Sequence, residues 1–225
     1  MAKRSKLDNV MTDARESDTF IVVLGQTGAG KSTFINTAVG KEVTRVGHEL
    51  KPQTQKVRFF PVTHPKDRSR RVIFVDTPGF NDTHIEDSET LDHILKWMEL
   101  SFSSRIRSTR IGIVYLHEIT QNRGDANQAG MSPVKLCTPG IKEKVVLATT
   151  KWQELPREEG LRRLQQLMEK YSRSIAVAEF QDTHTSAWAT INPIFEVDRL
   201  SQRVSSRFSF DVIEESFHFF TAMYP

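Results

Sequence analysis

A complete Gly-x-x-x-x-Gly-Lys-Ser pattern occupies residues 25–32, between an apolar run at 20–24 and a helix-compatible run at 32–39. The apolar run predicts a buried strand, so the pattern joins a strand to a helix. Glycines let such a loop curl until several backbone N–H groups point at one phosphate chain, and the helix start adds partial positive charge. A chance glycine-rich turn would leave the Gly-Lys-Ser order unexplained. We therefore predict a nucleotide-binding loop that contacts phosphate through Gly25, Gln26, Thr27, Gly28, Ala29, Gly30, Lys31, Ser32 and Thr33.

Length and composition limit the classes to which the chain can belong. Its 225 residues suit one domain with a substantial core, and the single cysteine, Cys137, excludes an internal disulfide framework and fits a reducing compartment. The net charge of +3 is too small to argue for nucleic acid or an anionic membrane. No apolar run approaches the roughly 18–20 residues of a membrane helix, and no signal-peptide pattern follows the basic N-terminus. We expect a cytoplasmic protein with no nucleic-acid partner and no transmembrane segment.

Short apolar runs alternate with helical patterns from residue 20 to about 180, which indicates an α/β fold with a mostly parallel sheet. A polar turn at 64–69 separates the second and third runs and predicts one antiparallel edge hairpin. Apolar spacing predicts helices at 91–102 and 156–171. The predicted strands are 20–24, 56–62, 71–75, 111–117, 144–149 and 174–180.

The character of the sequence divides the chain into three parts. Residues 1–18 are polar without periodicity and are predicted to form a flexible arm, whereas 19–190 form the α/β domain. Residues 191–225 form a phenylalanine-rich tail that fits neither the α/β alternation nor an amphipathic helix. This tail packs on the domain, drives association or is disordered, since an exposed apolar cluster is either an interaction surface or an aggregation liability.

A second phosphate-sensing pattern follows the third predicted strand. The strand runs into Asp76-Thr77-Pro78-Gly79, the Asp-x-x-Gly pattern of GTPases. The Asp76 carboxylate can hold Mg²⁺ through a water, and the Gly79 N–H can bond the γ-phosphate and sense its presence. Thr54, in the loop before the hairpin, is either the switch threonine or an ordinary solvated residue. We predict metal ligation by Ser32, Thr54 and Asp76, and catalytic contributions from Lys31, Thr54 and Gly79.

The end of the fifth predicted strand supplies a base-recognition segment, Thr150-Lys151-Trp152-Gln153. GTPases carry an [N/T]-K-x-D motif at this place, in which the Lys stem packs over the base and the Asp accepts hydrogen bonds from guanine N1 and N2. Here Gln153 replaces the Asp, and Gln offers one carbonyl without charge or bidentate geometry. Either guanine selection is relaxed or Glu154 takes over the role. Trp152 either stacks near the base or is buried in the core.

Four segments together resemble the septin-like and GIMAP-like (immunity-associated) GTPases, and most of all their fungal G-domain relatives. The segments are 25–36, 76–83, 112–117 and 149–152. The resemblance covers about residues 20–190 and implies a three-layer P-loop NTPase G domain that binds GTP or GDP with Mg²⁺. It also implies that Thr150 and Lys151 hold the base and that 185–188 begin the last helix of the domain.

The residue after the Asp-x-x-Gly pattern bears on turnover. Fast GTPases place a Gln there to orient the attacking water, and this chain has Phe80. We therefore expect Mg²⁺-dependent GTP binding with slow hydrolysis, accelerated by an unknown effector or by homodimerisation across the nucleotide face. His117 and Glu118 each either contribute at that face or are ordinary polar loop residues. The alternative is a regulatory module that binds nucleotide with relaxed base selection and hydrolyses nothing measurable. A P-loop phosphotransferase is disfavoured because no Arg-rich lid is evident.

Overall fold

A computed structural model describes residues 11–44, 57–79, 110–121 and 144–204, apart from 12, 16 and 174. The helix predicted at 91–102, Thr54, Phe80 and residues 205–225 of the phenylalanine-rich tail lie outside these residues. Within the described ranges the strands are β1 (Thr19–Gly25), β2 (Arg58–His64), β3 (Asp67–Asp76), β4 (Arg110–Glu118), β5 (Val145–Thr150) and β6 (Ala176–Glu179), and the helices are α1 (Lys31–Val39), α2 (Arg157–Tyr171) and α3 (His184–Val204).

The six strands form one sheet in the order β2-β3-β1-β4-β5-β6. β1 pairs in parallel with β3 and β4, and β5 pairs in parallel with β4 and β6. β2 pairs antiparallel with β3 at one edge. The α/β class with a mostly parallel sheet and an antiparallel edge hairpin is therefore confirmed.

The hairpin is longer than the apolar pattern predicts. β3 begins at Asp67, opposite His64, whereas the apolar run begins at 71. The first residues of β3 are exposed or half-buried, and the last five are buried. Because β2 satisfies the backbone of the polar part of β3, that part forms a strand without contributing to the core.

Helices cover both faces of the sheet. Alternate residues of a strand point to opposite faces, and β1 follows this rule: Phe20 and Val22 join a cluster that includes Tyr171 of α2. Ile21 and Val23 join a second cluster, which includes residues of α1 and α3. The described elements thus form three layers, and open sheets of this kind bind ligands at the carboxyl ends of their parallel strands. Among the described residues no helix is long and apolar enough to cross a bilayer.

Helix α3 continues past residue 190, where the composition changes. Ile191, Ile194 and Phe195 are 0, 0 and 2% exposed and belong to the second cluster. A Cβ built on Gly112 would lie 2.5 Å from Ile194 Cγ2, so α3 packs directly on β4. The boundary drawn at 190 thus falls inside a helix. The division into arm, domain and tail stays a prediction that must accommodate this packing.

One indole connects α3 to α1 and to the hairpin. Trp188 Nε1 donates a hydrogen bond to the carbonyl oxygen of Ala38 near the end of α1, at 2.9 Å. Its ring meets that of His64, at the end of β2, edge to face with centroids 4.9 Å apart. Three elements that are distant in sequence are therefore joined at this residue.

Candidate nucleotide-binding site

The loop between β1 and α1 presents a helix N-terminus at the carboxyl edge of the sheet. Gly28 and Gly30 have φ angles of 88° and 91°, a left-handed conformation that glycine adopts without strain and that turns successive N–H groups to one side. Gly30 is the N-cap of α1, and no side chain caps the helix. The first N–H groups of α1 are thus left for an anion, as a phosphate site requires.

The Lys31 side chain is held over its own loop. Nζ donates to the carbonyl oxygens of Gly25 and Gln26 at 3.0 and 2.9 Å, and the residue is 8% exposed. Burial lowers the pKa of the Lys31 amine to about 8, while the charges of Asp76 and Glu118 act in the opposite direction. The loop therefore carries a preoriented buried amine beside its N–H groups.

The Asp-x-x-Gly segment lies against this loop. Asp76 is fully buried at the end of β3, and the Thr77 hydroxyl donates to a carbonyl oxygen of β1 at 2.7 Å. A Cβ built on Gly79 would lie 2.4 Å from Thr27 Oγ1 and 2.8 Å from Thr27 Cα. Only glycine can approach the phosphate loop this closely, so the sheet brings the two predicted motifs into direct contact.

Two features indicate that these residues fit a phosphate chain with Mg²⁺. The buried hydroxyl oxygen of Thr27 has no hydrogen-bond partner among the described residues, and a phosphate group would supply one. The Ser32 hydroxyl and the Asp76 carboxylate are the hard oxygen ligands that Mg²⁺ prefers. In the described ranges no group of three or more His, Cys, Asp or Glu side chains could hold a metal.

The end of β5 is tied to the phosphate loop. The Thr150 hydroxyl donates to the carbonyl oxygen of Ala29 at 3.0 Å. Lys151 follows with a φ of 60°, and its Nζ lies 3.0 Å from Glu118 Oε2 at the end of β4. Thr150 and Lys151 are thus held at the same sheet edge as the phosphate loop.

Trp152 packs against α2. Its Nε1 donates to the carbonyl oxygen of Thr149 at 3.2 Å, and the residue is 8% exposed. A Cβ built on Gly160 would lie 2.7 Å from the indole, and the Arg157 guanidinium lies 4.6 Å from the ring centroid. These contacts correspond to the prediction that Trp152 is buried in the core. A role for Trp152 at the base stays a prediction.

Gln153 meets a residue that the sequence patterns did not single out. Its Nε2 donates to Asp182 Oδ2 at 3.0 Å, and both side chains are exposed. Asp182 follows β6, and β6 is the parallel neighbour of β5, so the two loops leave adjacent strands. The two residues are 29 positions apart, and no motif spacing links them. The available signal was an acidic residue soon after the last predicted strand.

His117 and Glu118 have different surroundings at the end of β4. Burial, and to a smaller extent the charge of Lys170 on α2, lower the pKa of the His117 imidazole to about 4. His117 is therefore neutral at physiological pH. Glu118 pairs with Lys151, and a Cβ built on Gly28 would lie 3.5 Å from Glu118 Oε1. Glu118 thus faces the phosphate loop.

The fold and this site define a P-loop GTPase domain: a phosphate loop after β1, an Asp-x-x-Gly segment after β3 and a Thr-Lys pair at the end of β5. The family model described as 50S ribosome-binding GTPase matches residues 20–151. The chain belongs to this family, and the predicted class of P-loop GTPase is confirmed.

Similar proteins include GTPase Era from Heliobacterium modesticaldum, which is 29% identical over 161 residues, or 71% of this chain and 47% of Era. The chain thus spans about half the length of this relative. Toc33 from Arabidopsis thaliana, solved with GDP and Mg²⁺, has a TM-score of 0.55 and 16% identity, with 80% of this chain and 84% of Toc33 covered. A structure of the chloroplast translocon components atToc33 and psToc159, for which dimerization is important for GTPase activity, has a TM-score of 0.54, 15% identity and coverages of 80% and 83%.

Proposed function

We propose that this chain binds GTP and GDP with Mg²⁺, hydrolyses GTP slowly and acts as a nucleotide-dependent switch or self-associating module. The observation that carries the proposal is the placement of Lys31, whose Nζ lies 3.0 and 2.9 Å from two carbonyl oxygens of its own loop. A cation in this position has its remaining hydrogen free for phosphate, because an ammonium has three donors. Family membership agrees with a guanine nucleotide as the ligand.

The residues have distinct roles in this proposal. The N–H groups of the loop and Lys31 bind and neutralise phosphate oxygens, and Ser32 and Asp76 hold Mg²⁺. When bound, Mg²⁺ neutralises charge on the phosphate oxygens during transfer. Gly79 touches the loop at Thr27 and therefore responds to whatever occupies the terminal phosphate position. Thr54, which lies outside the described residues, is proposed as the switch threonine.

The proposal also includes self-association and a place within a particular subgroup of GTPases. The segments at 76–83, 112–117 and 149–152 support a place near the septin-like and GIMAP-like GTPases and their fungal relatives. Homodimerisation, which we place across the nucleotide face, is supported by the importance of dimerization for the GTPase activity of atToc33 and psToc159, which share the fold. It would supply groups that Phe80 cannot supply, and an unknown effector could do the same.

The first experiment measures binding. A fluorescent GDP is titrated into the protein and displaced with GTP, GDP and ATP, with and without Mg²⁺. We expect guanine nucleotides to win by more than about tenfold, or about 1.4 kcal/mol. Lys31→Ala should abolish binding with the fold retained, whereas Lys41→Ala, an exposed lysine just after α1, should not change it. Unchanged affinity in Lys31→Ala would show that the site is wrongly assigned.

The second experiment measures hydrolysis against protein concentration. We expect slow turnover at dilution and a higher rate per molecule as concentration rises. Nucleotide binding without hydrolysis at any concentration would favour the regulatory module that binds and does not turn over. Turnover as fast as that of a typical enzyme from the isolated monomer would contradict slow intrinsic hydrolysis.

A further inference from the structure

We infer that Asp182, in the loop after β6, is the carboxylate that reads the guanine base, and that Gln153 is its positioning residue. The inference rests on the proposed function, since it concerns the base of the nucleotide bound there. Because Gln153 stands where GTPases carry an Asp, another group must accept the hydrogen bonds of guanine. A neutral amide replaces the expected acid, and the structure brings an acid to that amide from another strand.

The loop that carries Asp182 lies beside the segment that follows β5. β5 and β6 are parallel neighbours, with Thr149 opposite Glu179, so the segments that follow them leave the same edge side by side. Thr150 fixes the end of β5 to Ala29 of the phosphate loop. Gln153 then reaches Asp182 at 3.0 Å. A short chain of contacts therefore runs from the phosphate loop to the Asp182 carboxylate.

The turn that carries Asp182 is held in a fixed conformation. In the described chain the two non-glycine residues with positive φ are Lys151, at 60°, and Asp182, at 51°. Such conformations persist where the surroundings fix them and are concentrated at functional sites. The residues on either side of Asp182 are anchored, because the backbone N–H groups of Gln181 and Thr183 both donate to Ser186 Oγ, at 3.1 and 3.2 Å. The carboxylate is thus presented from a fixed turn at the start of α3.

The carboxylates near Asp182 are already paired with cations, whereas Asp182 is not paired with a cation among the described residues. Glu118 is paired with Lys151 at 3.0 Å, and Glu154 lies 4.0 Å from the same Nζ. Glu179 is paired with Arg157. Among the described residues Asp182 has no cation within salt-bridge distance, and its contact is with the neutral Gln153 amide. It is therefore the exposed carboxylate of this edge that is left to accept hydrogen bonds from a ligand.

The chemistry matches guanine. Guanine donates from N1–H and from its 2-amino group, and a carboxylate accepts both in a fork that a single amide carbonyl cannot form. Gln153 engages Oδ2 of Asp182, which restricts rotation of the carboxylate and leaves the other lone pairs for the base. Adenine has no donor at these two positions, so the same carboxylate would select against it.

The experiment compares the affinities of GDP, IDP, XDP and ADP for the full chain and for Asp182→Asn. Asn is also tolerated at positive φ, so the turn is kept. An amide donates where a carboxylate accepts, which suits the 2-carbonyl of xanthine instead of the 2-amino group of guanine. We expect GDP affinity to fall about tenfold or more and XDP affinity to rise, because the loss of a hydrogen bond to a charged group has about this effect. The preference of the unmodified chain for GDP over IDP, which lacks the 2-amino group, should disappear.

Gln153→Ala tests the positioning role. It should weaken GDP binding less than Asp182→Asn does. When Gln153→Ala is combined with Asp182→Asn, GDP affinity should fall no further than in Asp182→Asn alone, because the effect of Gln153 passes through the Asp182 carboxylate. A merely structural role would give additive losses for all four nucleotides. Glu158→Gln, an exposed acid on α2, is the matched control and should leave every affinity unchanged.

The possible results distinguish a failure of the Asp182 assignment from a failure of the proposed nucleotide binding. If the unmodified chain binds GDP selectively and Asp182→Asn leaves the order of the four nucleotides intact, this inference is wrong and the proposed function stands. The same holds if Glu154→Gln changes the order instead. If the unmodified chain binds none of the four, the proposed function fails and the inference fails with it.

Discussion

Thr150 donates a hydrogen bond to the carbonyl oxygen of Ala29 at 3.0 Å across 121 positions of sequence. This bond joins the end of β5, where the candidate base-recognition segment begins, to the phosphate loop that precedes α1. The Thr150 side chain is 2% exposed, so water does not compete for the bond. The two halves of the candidate site are thus connected by a buried contact.

Thr150→Val removes this bond and keeps the shape of the side chain. We expect a loss of about 1 kcal/mol in the free energy of unfolding and a drop in GDP affinity, measured by urea unfolding and by fluorescence titration. Thr149→Val is the matched control, since Thr149 is also buried and its hydroxyl donates to Ala178 of β6 at 3.1 Å. It should lower stability similarly without the loss of affinity. Equal losses of affinity in the two variants would mean that the Thr150 bond serves stability alone.

His117 makes stability depend on pH. Its pKa is lowered to about 4 in the folded protein from a usual 6.5, so the unfolded chain binds the proton more tightly between these values. Stability therefore rises as pH increases from 4 to 6.5 and is lost as pH falls, by up to about 3 kcal/mol. Urea unfolding of the unmodified chain and of His117→Gln across this range measures the difference. Parallel curves for the two proteins would contradict the prediction.

Gly79→Ala tests the contact between the two phosphate motifs. The added Cβ would overlap Thr27, whose Cα and backbone N would both lie 2.8 Å away. Since backbone atoms cannot yield as a side-chain tip can, we expect the Asp-x-x-Gly segment to be displaced and GTP affinity to fall about tenfold or more, by the same fluorescence titration. Thr27→Ala removes the Oγ1 atom nearest the added Cβ, but it should not rescue the variant, because it leaves the clashing backbone in place. Restored affinity in the double variant would place the clash at the Thr27 side chain instead.

Gly112→Ala tests the packing of α3 beyond residue 190. The added Cβ would lie 2.5 Å from Ile194 Cγ2 and 2.7 Å from Cδ1, and overpacking of this kind costs about 1–3 kcal/mol. Ile194→Ala removes both atoms, so the double variant should lose less stability than the sum of the single changes. Ile191→Ala, equally buried on the same helix, should combine additively. Additive losses at Gly112 and Ile194 would contradict the contact.

The sequence was most informative where one contiguous segment contains a recognisable motif whose residues have a known chemical role. The run at 20–24, the loop at 25–32 and the Asp-x-x-Gly motif identify the class, and the structure places Gly79 against Thr27. The polar half of β3 was not predicted, because its strand conformation depends on pairing with β2 and not on burial. Local composition cannot report a partner strand.

The candidate base-recognition residues were predictable only in part, because some of them are brought together by neighbouring strands. Thr150 and Lys151 were found from a contiguous motif, whereas the approach of Asp182 to Gln153 depends on β5 and β6 being neighbours. The extension of α3 was missed because Ile191, Ile194 and Phe195 are mixed with polar residues and with Pro193, so the apolar stripe is not evident before the sheet beneath it is known.

The indole of Trp188 bonds the carbonyl end of α1 and touches His64 at the end of β2. α1 has nine residues, which makes it a rod about 14 Å long, and its other end begins at the candidate phosphate loop. A ligand bound at the hairpin and a nucleotide bound at the candidate phosphate loop would therefore be linked to opposite ends of one helix. Any influence passed along it is reciprocal: the free energy by which nucleotide alters binding at the hairpin equals that by which binding at the hairpin alters nucleotide affinity.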